Sequence, residues 1–364
     1  MAFNFNAVEE TEAIKLPEML EKGVFKNQTD LIDPLRLKEL TTLVIGAGSV
    51  GSNLVHTMNK FGFSSFQVYD YDVWEEHNSA SSIYPFKEAT VIKPRCARSY
   101  DTWYYYPMNS FVNELDPTIE ESITQPSYSL FKVDLLETEI KRNDPNLYFE
   151  KYRMPFGESM VNAFTKFNQS VTKMGARTDF TNEGLTRRSS QLKFDWNPRV
   201  KPDLMVLTTD SLVSRAKCVW YMRELLLNND KYKHEGEFPV IDTRTLDTTK
   251  GEILIFDLLD NDQVFDWFNY SIPVNKREKD FETLESKITD LDQIELIPFI
   301  DGTPNQCGNK MSIIISNQIG LMTVNLIVSL FSGKFTFEDI PKLYLLNTNP
   351  FTPYISKMEL LLNE

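Results

Sequence analysis

Gly46-Ala47-Gly48-Ser49-Val50-Gly51 is the first group of residues whose types and spacing could do chemistry. Glycines let a backbone approach a phosphate closely. A helix opening just after them offers free N–H groups and the positive end of its dipole. Asp70 lies 24 residues after Gly46, at the end of the next apolar run, where a carboxylate can take ribose hydroxyls. Alone, the pattern says adenine nucleotide, in its plainest form NAD. A second group, Asp70-Tyr71-Asp72 followed by Glu75 and Asn78, adds polar groups that a dehydrogenase has no use for. A third, Thr208-Thr209-Asp210, ends a later apolar run. A carboxylate there can hold Mg²⁺ against phosphates, and it can also cap the helix that follows.

Such groups need strands and helices that bring them to one place. TTLVIGA at 41–47 reads as a buried strand, and Val50, Leu54 and Met58 recur at helical spacing up to Gly62 as a C-cap. SFQVYDYD at 65–72 is a second strand, so the order is that of a βαβ unit with parallel strands. The rhythm returns with PDLMVLTTD (202–210), a helix through SRAKCVWYMRELLL, then strands FPVIDTR (238–244) and GEILIFDLL (251–259). A helix near 312–331 and the strand PKLYLLN (341–347) close the domain. The fold class expected is α/β, a Rossmann-like, mostly parallel sheet flanked by helices. Residues 95–113 are expected to form a helix, and the segment after Pro117 a strand. Residues 1–35 read as an acidic lead-in and 36–364 as one domain with two insertions. In the first, at about 126–200, regular patterning is lost, which suits either a lid or partner-binding element or a packed decoration. The second, at 262–300, alternates acidic, basic and aromatic residues.

In this order the motifs resemble the ThiF/MoeB superfamily, the ubiquitin-activating-enzyme-like adenylyltransferases, in which D-x-D-x-V-E-x-x-N marks the ATP site. The resemblance covers 40–120 and 200–333 and not the insertions. Val91-Ile92-Lys93-Pro94-Arg95 is similar to the family's I-G-x-P-K-V segment, Asn113 to Pro117 to its L-N-P, and Cys307 with 319–333 to its cysteine followed by a glycine-containing helix. The resemblance implies additions to the sheet of the ThiF type. It also implies ATP held by Gly46, Gly48, Ser49, Gly51, Asp70, Asp72, Asn78, Lys93, Arg95 and Asp210, with Mg²⁺ held by Asp210 through the nucleotide. Asp210 and Arg95 would serve catalysis. Cys307 would be a thioester- or sulfur-bearing nucleophile, or else a small buried residue. The acceptor would be the free C-terminus of a small ubiquitin-like protein or peptide, and the assembly a homodimer. Three departures stand out. Ser81 replaces the family's triphosphate-binding arginine, Ser211 replaces the Asn of T-D-N-x-x-x-R, and the zinc cysteines are missing. A nucleotide-binding scaffold without turnover is therefore the alternative, and an NAD-dependent dehydrogenase the remote one.

Composition narrows the partners. The 364 residues carry 38 Lys and Arg against 52 Asp and Glu, a net charge of −14. That opposes a general phosphate-backbone binder, which needs a basic face. Cys96, Cys218 and Cys307 are too few and too scattered for a disulfide framework or a four-cysteine zinc site, which fits a reducing, cytoplasmic setting. The acidic N-terminus has no positive and then apolar leader. The run at 311–331 is long enough to span a bilayer, but Asn317, Gln318 and Asn325 interrupt it, so it reads as a buried core helix and no membrane partner is expected.

Overall fold

The computed structural model describes residues 34–72, 74, 78, 80–84, 131–157, 200–230, 232–247, 249–300, 313–332, 337–338, 340, 342–347 and 354–358. The helix expected at 95–113 and the strand after Pro117 lie outside the described residues.

Helix α1 (Pro34–Glu39) leads into strand β1 (Thr41–Ile45), whose β-branched run Thr-Thr-Leu-Val-Ile is buried throughout. Helix α2 (Ser49–Phe61) follows and ends as the glycine predicts. Gly62 takes φ 105°, and the N–H groups of Gly62 and Phe63 donate back to Asn59 and Met58 at 3.1 Å. Strand β2 (Ser65–Tyr69) pairs parallel with β1, Val44 opposite Val68.

Residues 131–157 correct the expectation of an irregular stretch at 126–200. They form helix α3 (Lys132–Asn143) and strand β3 (Tyr148–Tyr152). β3 pairs parallel with β2, with Phe66 opposite Phe149. The period is hidden by the ion pairs that fasten α3 to β3. Lys151 reaches Glu137 at 2.5 Å and Asp134 at 3.0 Å, and Arg153 reaches Asp134 at 2.8 Å. Burial works against the Asp134 carboxylate, but Arg153 and Lys151 hold it below its ordinary range. Charged residues that look like solvent-facing positions in the sequence thus carry a buried contact.

Strand β4 (Leu204–Leu207), helix α4 (Leu212–Asn228) and strand β5 (Pro239–Thr245) complete the parallel part. β6 (Lys250–Asp257), β7 (Leu343–Asn347) and β8 (Tyr354–Met358) add an antiparallel meander. The strand order is β3-β2-β1-β4-β5-β6-β7-β8. The chain runs outward from β1 to β3 and then restarts at β4 on the other side of β1. That reversal opens a crevice beyond the carboxyl ends of β1 and β4, the place where such sheets bind ligands.

A sheet covered on both faces needs two apolar layers. Val44, Val68, Val206 and Ile255 face the first, with α2 and with helix α7 (Ile313–Phe331) packed against it. Leu43, Ile45, Leu207 and Phe256 face the second, beneath α4. The 262–300 stretch belongs to this second layer. Helices α5 (Asn261–Tyr270) and α6 (Phe281–Lys287) bury Trp267, Phe268, Phe281 and Leu284 there. Its aromatics are core, and its alternating charges are the outer faces of short helices. Helix α7 is long and apolar enough to cross a bilayer, with half of it buried inside the protein.

A buried charge network joins the strands. Asp242 of β5 is fully buried. It accepts from Arg215 of α4, from Arg244 Nε at 2.8 Å and from Trp267 Nε1 at 2.9 Å. Burial opposes the charge, but the two guanidiniums outweigh it and hold the carboxyl below its ordinary range. Asp242→Ala would leave Arg215 and Arg244 buried against each other. We expect a loss of about 3–5 kcal/mol in urea unfolding at neutral pH, and a loss under about 1 kcal/mol would contradict this reading of the network.

Candidate functional site

The turn after β1 is a close approach of chain to chain. Gly46 has φ +106°, and a Cβ there would sit 2.7 Å from Thr208 Oγ1. A Cβ on Gly51 would meet the carbonyl oxygen of Gly46 at 2.0 Å. Gly48 differs, since a Cβ there would have nothing within 4 Å. Two glycines therefore serve the close approach of chain to chain, and one leaves open space above the start of α2. Thr208, at the end of β4, fixes the approach. Its hydroxyl donates to the carbonyls of Gly46 at 2.8 Å and Ile45 at 3.0 Å.

Asp70 holds the same turn from the other side. One oxygen accepts from the Ala47 N–H at 2.6 Å, the other from the Asp72 N–H at 2.7 Å. Burial pushes its carboxyl up to about 6, against the pull of Lys132 and these N–H donors. Residues 78 and 80–84 close over the turn. Tyr84 donates to the Ala47 carbonyl, Ser49 donates to the Ser81 carbonyl, and Asn53 Nδ2 reaches that carbonyl at 2.9 Å.

A cavity of about 360 Å³ opens beside this turn. Gly46, Gly48, Ser49, Asp70, Asp72, Asn78 and Asp210, all expected from the sequence, stand on its wall. Gly51 lies just inside and is buried. Asp210 is exposed, and the cap of α4 is Ser211, which accepts from the Ser214 N–H at 3.3 Å. The carboxylate of Asp210 is thus not the cap that the sequence allowed for. Lys93, Arg95 and Cys307 lie outside the described residues.

The cation that reasoning from sequence missed is Lys132, the first residue of α3. Lys132 lines the cavity, its ammonium lies 2.9 Å from Asp72 Oδ2, and its N–H donates to the Asp72 carbonyl at 3.0 Å. Burial would lower its pKa, but Asp70 and Asp72 outweigh that and raise it, so Lys132 stays charged. A signal was present. Phe131-Lys132-Val133 opens a 12-residue helix followed by Asp144-Pro145 and a strand, the same sequence of features looked for at 91–117. No arginine lines the cavity among the described residues.

Ile45, Tyr69, Met154, Phe156 and Cys218 give the wall an apolar part. Tyr69 meets Phe156 edge-on at 4.9 Å and stacks on Tyr152 at 4.1 Å. Gly157 (φ +72°) lets the turn at 154–157 press on α4, where a Cβ would come within 2.9 Å of the Lys217 carbonyl. Arg215 steadies the other lip by donating to the carbonyls of Thr209 and Thr243. Among the described residues no group of three or more Asp, Glu, His or Cys could hold a metal alone. The exposed oxygens of Asp210 suit Mg²⁺, which takes one or two carboxylates and completes its shell from phosphate and water.

Fold and cavity together define an α/β protein with a ligand crevice at the switch point of its sheet. No protein-family profile matches the sequence, and no curated protein does. Solved structures of similar path exist. PaaA is 12% identical over 97% of this chain and 86% of its own, with a TM-score of 0.45. MccB of E. coli is 9% identical over 90% of this chain and 64% of its own, with a TM-score of 0.47. A complex of MccB, a microcin C7 biosynthetic enzyme, with N-formylated MccA gives 9%, 90%, 66% and 0.46. The chain spans less than two thirds of the MccB chains. Likeness this loose says nothing about the ligand.

Two outcomes follow from the turn. Gly51→Ala should fail to fold or lose several kcal/mol, whereas Gly48→Ala should keep the wild-type melting temperature, because only the first Cβ has no room. For Asp70, a folded pKa raised above the unfolded value means the native state holds its proton more tightly. Its share of stability therefore falls as pH rises from about 4 to 6. The wild-type minus Asp70→Asn difference in unfolding free energy should slope downward over that window and be flat above it.

Proposed function

We propose that the chain is a divergent member of the ThiF/MoeB superfamily. It binds ATP in this cavity and transfers AMP to a carboxylate, releasing pyrophosphate. The observation that carries the reading is Lys132. A charged ammonium stands in a crevice with the start of α2 on one side and the strand-end carboxylate Asp210 on the other. That set is what a polyphosphate requires: N–H groups at a helix start, a point positive charge, and a carboxylate able to share a cation. The apolar wall of Tyr69, Met154 and Phe156 gives a base a place to stack. Asp70 and Asn78, on the same wall, are the groups that the ribose would meet.

In the step proposed, an oxygen of the acceptor carboxylate attacks the α-phosphorus. The bond from that phosphorus to the bridging oxygen breaks, and pyrophosphate leaves with the electron pair. This chain's part is to position the groups and to neutralise charge on the departing phosphates. Lys132 supplies the ammonium for this, releasing Asp72 as it turns to phosphate. Asp210 is the residue that would hold Mg²⁺, and the ion would supply further positive charge for the departing phosphates. The acceptor that suits this chemistry is the free C-terminus of a small ubiquitin-like protein or a peptide.

A second reading has its own support. Ser81 stands where the family places an arginine, and its carbonyl is engaged by Ser49 and Asn53. With no arginine on the described wall, the crevice would hold a nucleotide as part of a scaffold and turn it over slowly or not at all.

Exchange of labelled pyrophosphate into ATP, with candidate peptides present, separates the two readings. Exchange in the wild type should drop by about 10²–10³ in Lys132→Ala and in Asp210→Ala. Lys132→Ala should weaken binding of ATP but not of adenosine, measured by calorimetry. ATP binding without exchange would favour the scaffold. Tight NAD binding that ATP does not displace would overturn both.

A further inference from the structure

Both oxygens of Asp70 are engaged by the backbone. One accepts from the Ala47 N–H at 2.6 Å and the other from the Asp72 N–H at 2.7 Å. Asp70 thus holds the turn, and a ribose that meets it finds a carboxylate already serving two donors. Asp72 differs. It stands on the same cavity wall, 44% of its side chain is exposed, and its Oδ2 is held by the Lys132 ammonium at 2.9 Å.

The backbone of Asp72 is fixed independently of that ion pair. Its N–H goes to Asp70, and its carbonyl takes the Lys132 N–H at 3.0 Å. The carboxylate therefore keeps its place when the ammonium leaves. The ammonium is free to swing, because it sits at the end of a flexible four-carbon stem. One ion pair thus masks a fixed carboxylate just beyond β2, the place where folds of this kind meet a ribose.

Charge decides when the pair opens. Among the described residues Lys132 is the one basic residue on the wall, against Asp70, Asp72 and Asp210. A polyphosphate placed there has this ammonium to draw on, and its several negative oxygens attract it more strongly than a single half-exposed carboxylate does. A nucleoside carries no such charge and leaves the pair closed.

We propose that Asp72 is the residue that selects for the ribose hydroxyls, and that it does so when phosphates draw Lys132 away from it. The proposal rests on the nucleotide reading above and adds a coupling to it. Beside the ammonium, the charge of Asp72 is compensated and its oxygens are weak acceptors. Once released, the carboxylate takes hydroxyls as a charged acceptor, the stronger kind of hydrogen bond. Recognition of phosphate and of ribose then reinforce each other, by the same factor in either direction.

Calorimetry on the full chain with Mg²⁺ present tests it, each ligand being compared with its dideoxy form, which lacks both ribose hydroxyls. In the wild type ATP should bind about tenfold or more tighter than dideoxy-ATP, and adenosine less than about twofold tighter than dideoxyadenosine. Asp72→Asn should bring the ATP ratio close to one, whereas a merely structural Asp72 would weaken both forms alike and keep the ratio. Lys132→Ala, which leaves Asp72 open, should give adenosine a ratio near that of ATP in the wild type. A wild-type ATP ratio near one would overturn the proposal and leave ATP binding standing. So would an Asp72→Asn variant that keeps the ratio, or an adenosine ratio equal to that of ATP. A wild type that does not bind ATP at all would overturn the nucleotide reading itself and the proposal with it. Should adenosine bind too weakly to measure, or Lys132→Ala fail to fold, the Asp72→Asn comparison decides.

Discussion

The contact between Thr208 and the turn after β1 is the constraint on which the rest depends. Two strands distant in sequence reach the same edge of the sheet, and the hydroxyl of one fills the space that side chains at Gly46 and Gly51 would take. This brings the start of α2 beside Asp210. Without it the helix start and the strand-end carboxylate would face different volumes, and the cavity would lose its polar wall. Asp70 closes the arrangement by taking the Ala47 N–H, so the turn is held from both sides.

The charge in the crevice is arranged as a poised state. Lys132 is pulled by Asp70, Asp72 and Asp210, and the first two keep it protonated against burial. Asp72 accepts from both its ammonium and its backbone N–H, so a single residue fixes the start of α3 and the direction of the cation. The proposed nucleotide would compete with Asp72 for that ammonium, an exchange of one anion for another that asks for little reorganisation. The pairs of Lys151 and Arg153 with Asp134 and Glu137 stiffen α3 behind it.

Further from the cavity, the buried charges do a different job. Arg215 and Arg244 converge on Asp242, and Arg215 also takes the carbonyls of Thr209 and Thr243. The lip that presents Asp210 is thereby tied to β5 and, through Trp267, to the layer formed by α5 and α6. The second apolar layer and the site's geometry are thus set by one hydrogen-bonded unit.

Much of this was legible in the residues. Local signals act over a few positions: β-branched runs for β1, β4 and β5, helical spacing ending at Gly62, and a glycine pattern that only a close-approach turn requires. They gave the βαβ core, the strand ends and the acidic wall of Asp70, Asp72 and Asp210. What they left undecided was Lys132. Its helix and strand are bound by ion pairs, so their charged positions mimic a solvated stretch, and a similar motif nearer the second strand drew the assignment to Arg95. The core role of 262–300 was hidden for a related reason: short helices leave too few turns for a period to show, and only the sheet they cover reveals which aromatics are buried. Composition could say that 313–331 is apolar. Which side of that helix is spent on the core and which is left open depends on where α2 and the sheet lie, and tertiary packing alone decides that.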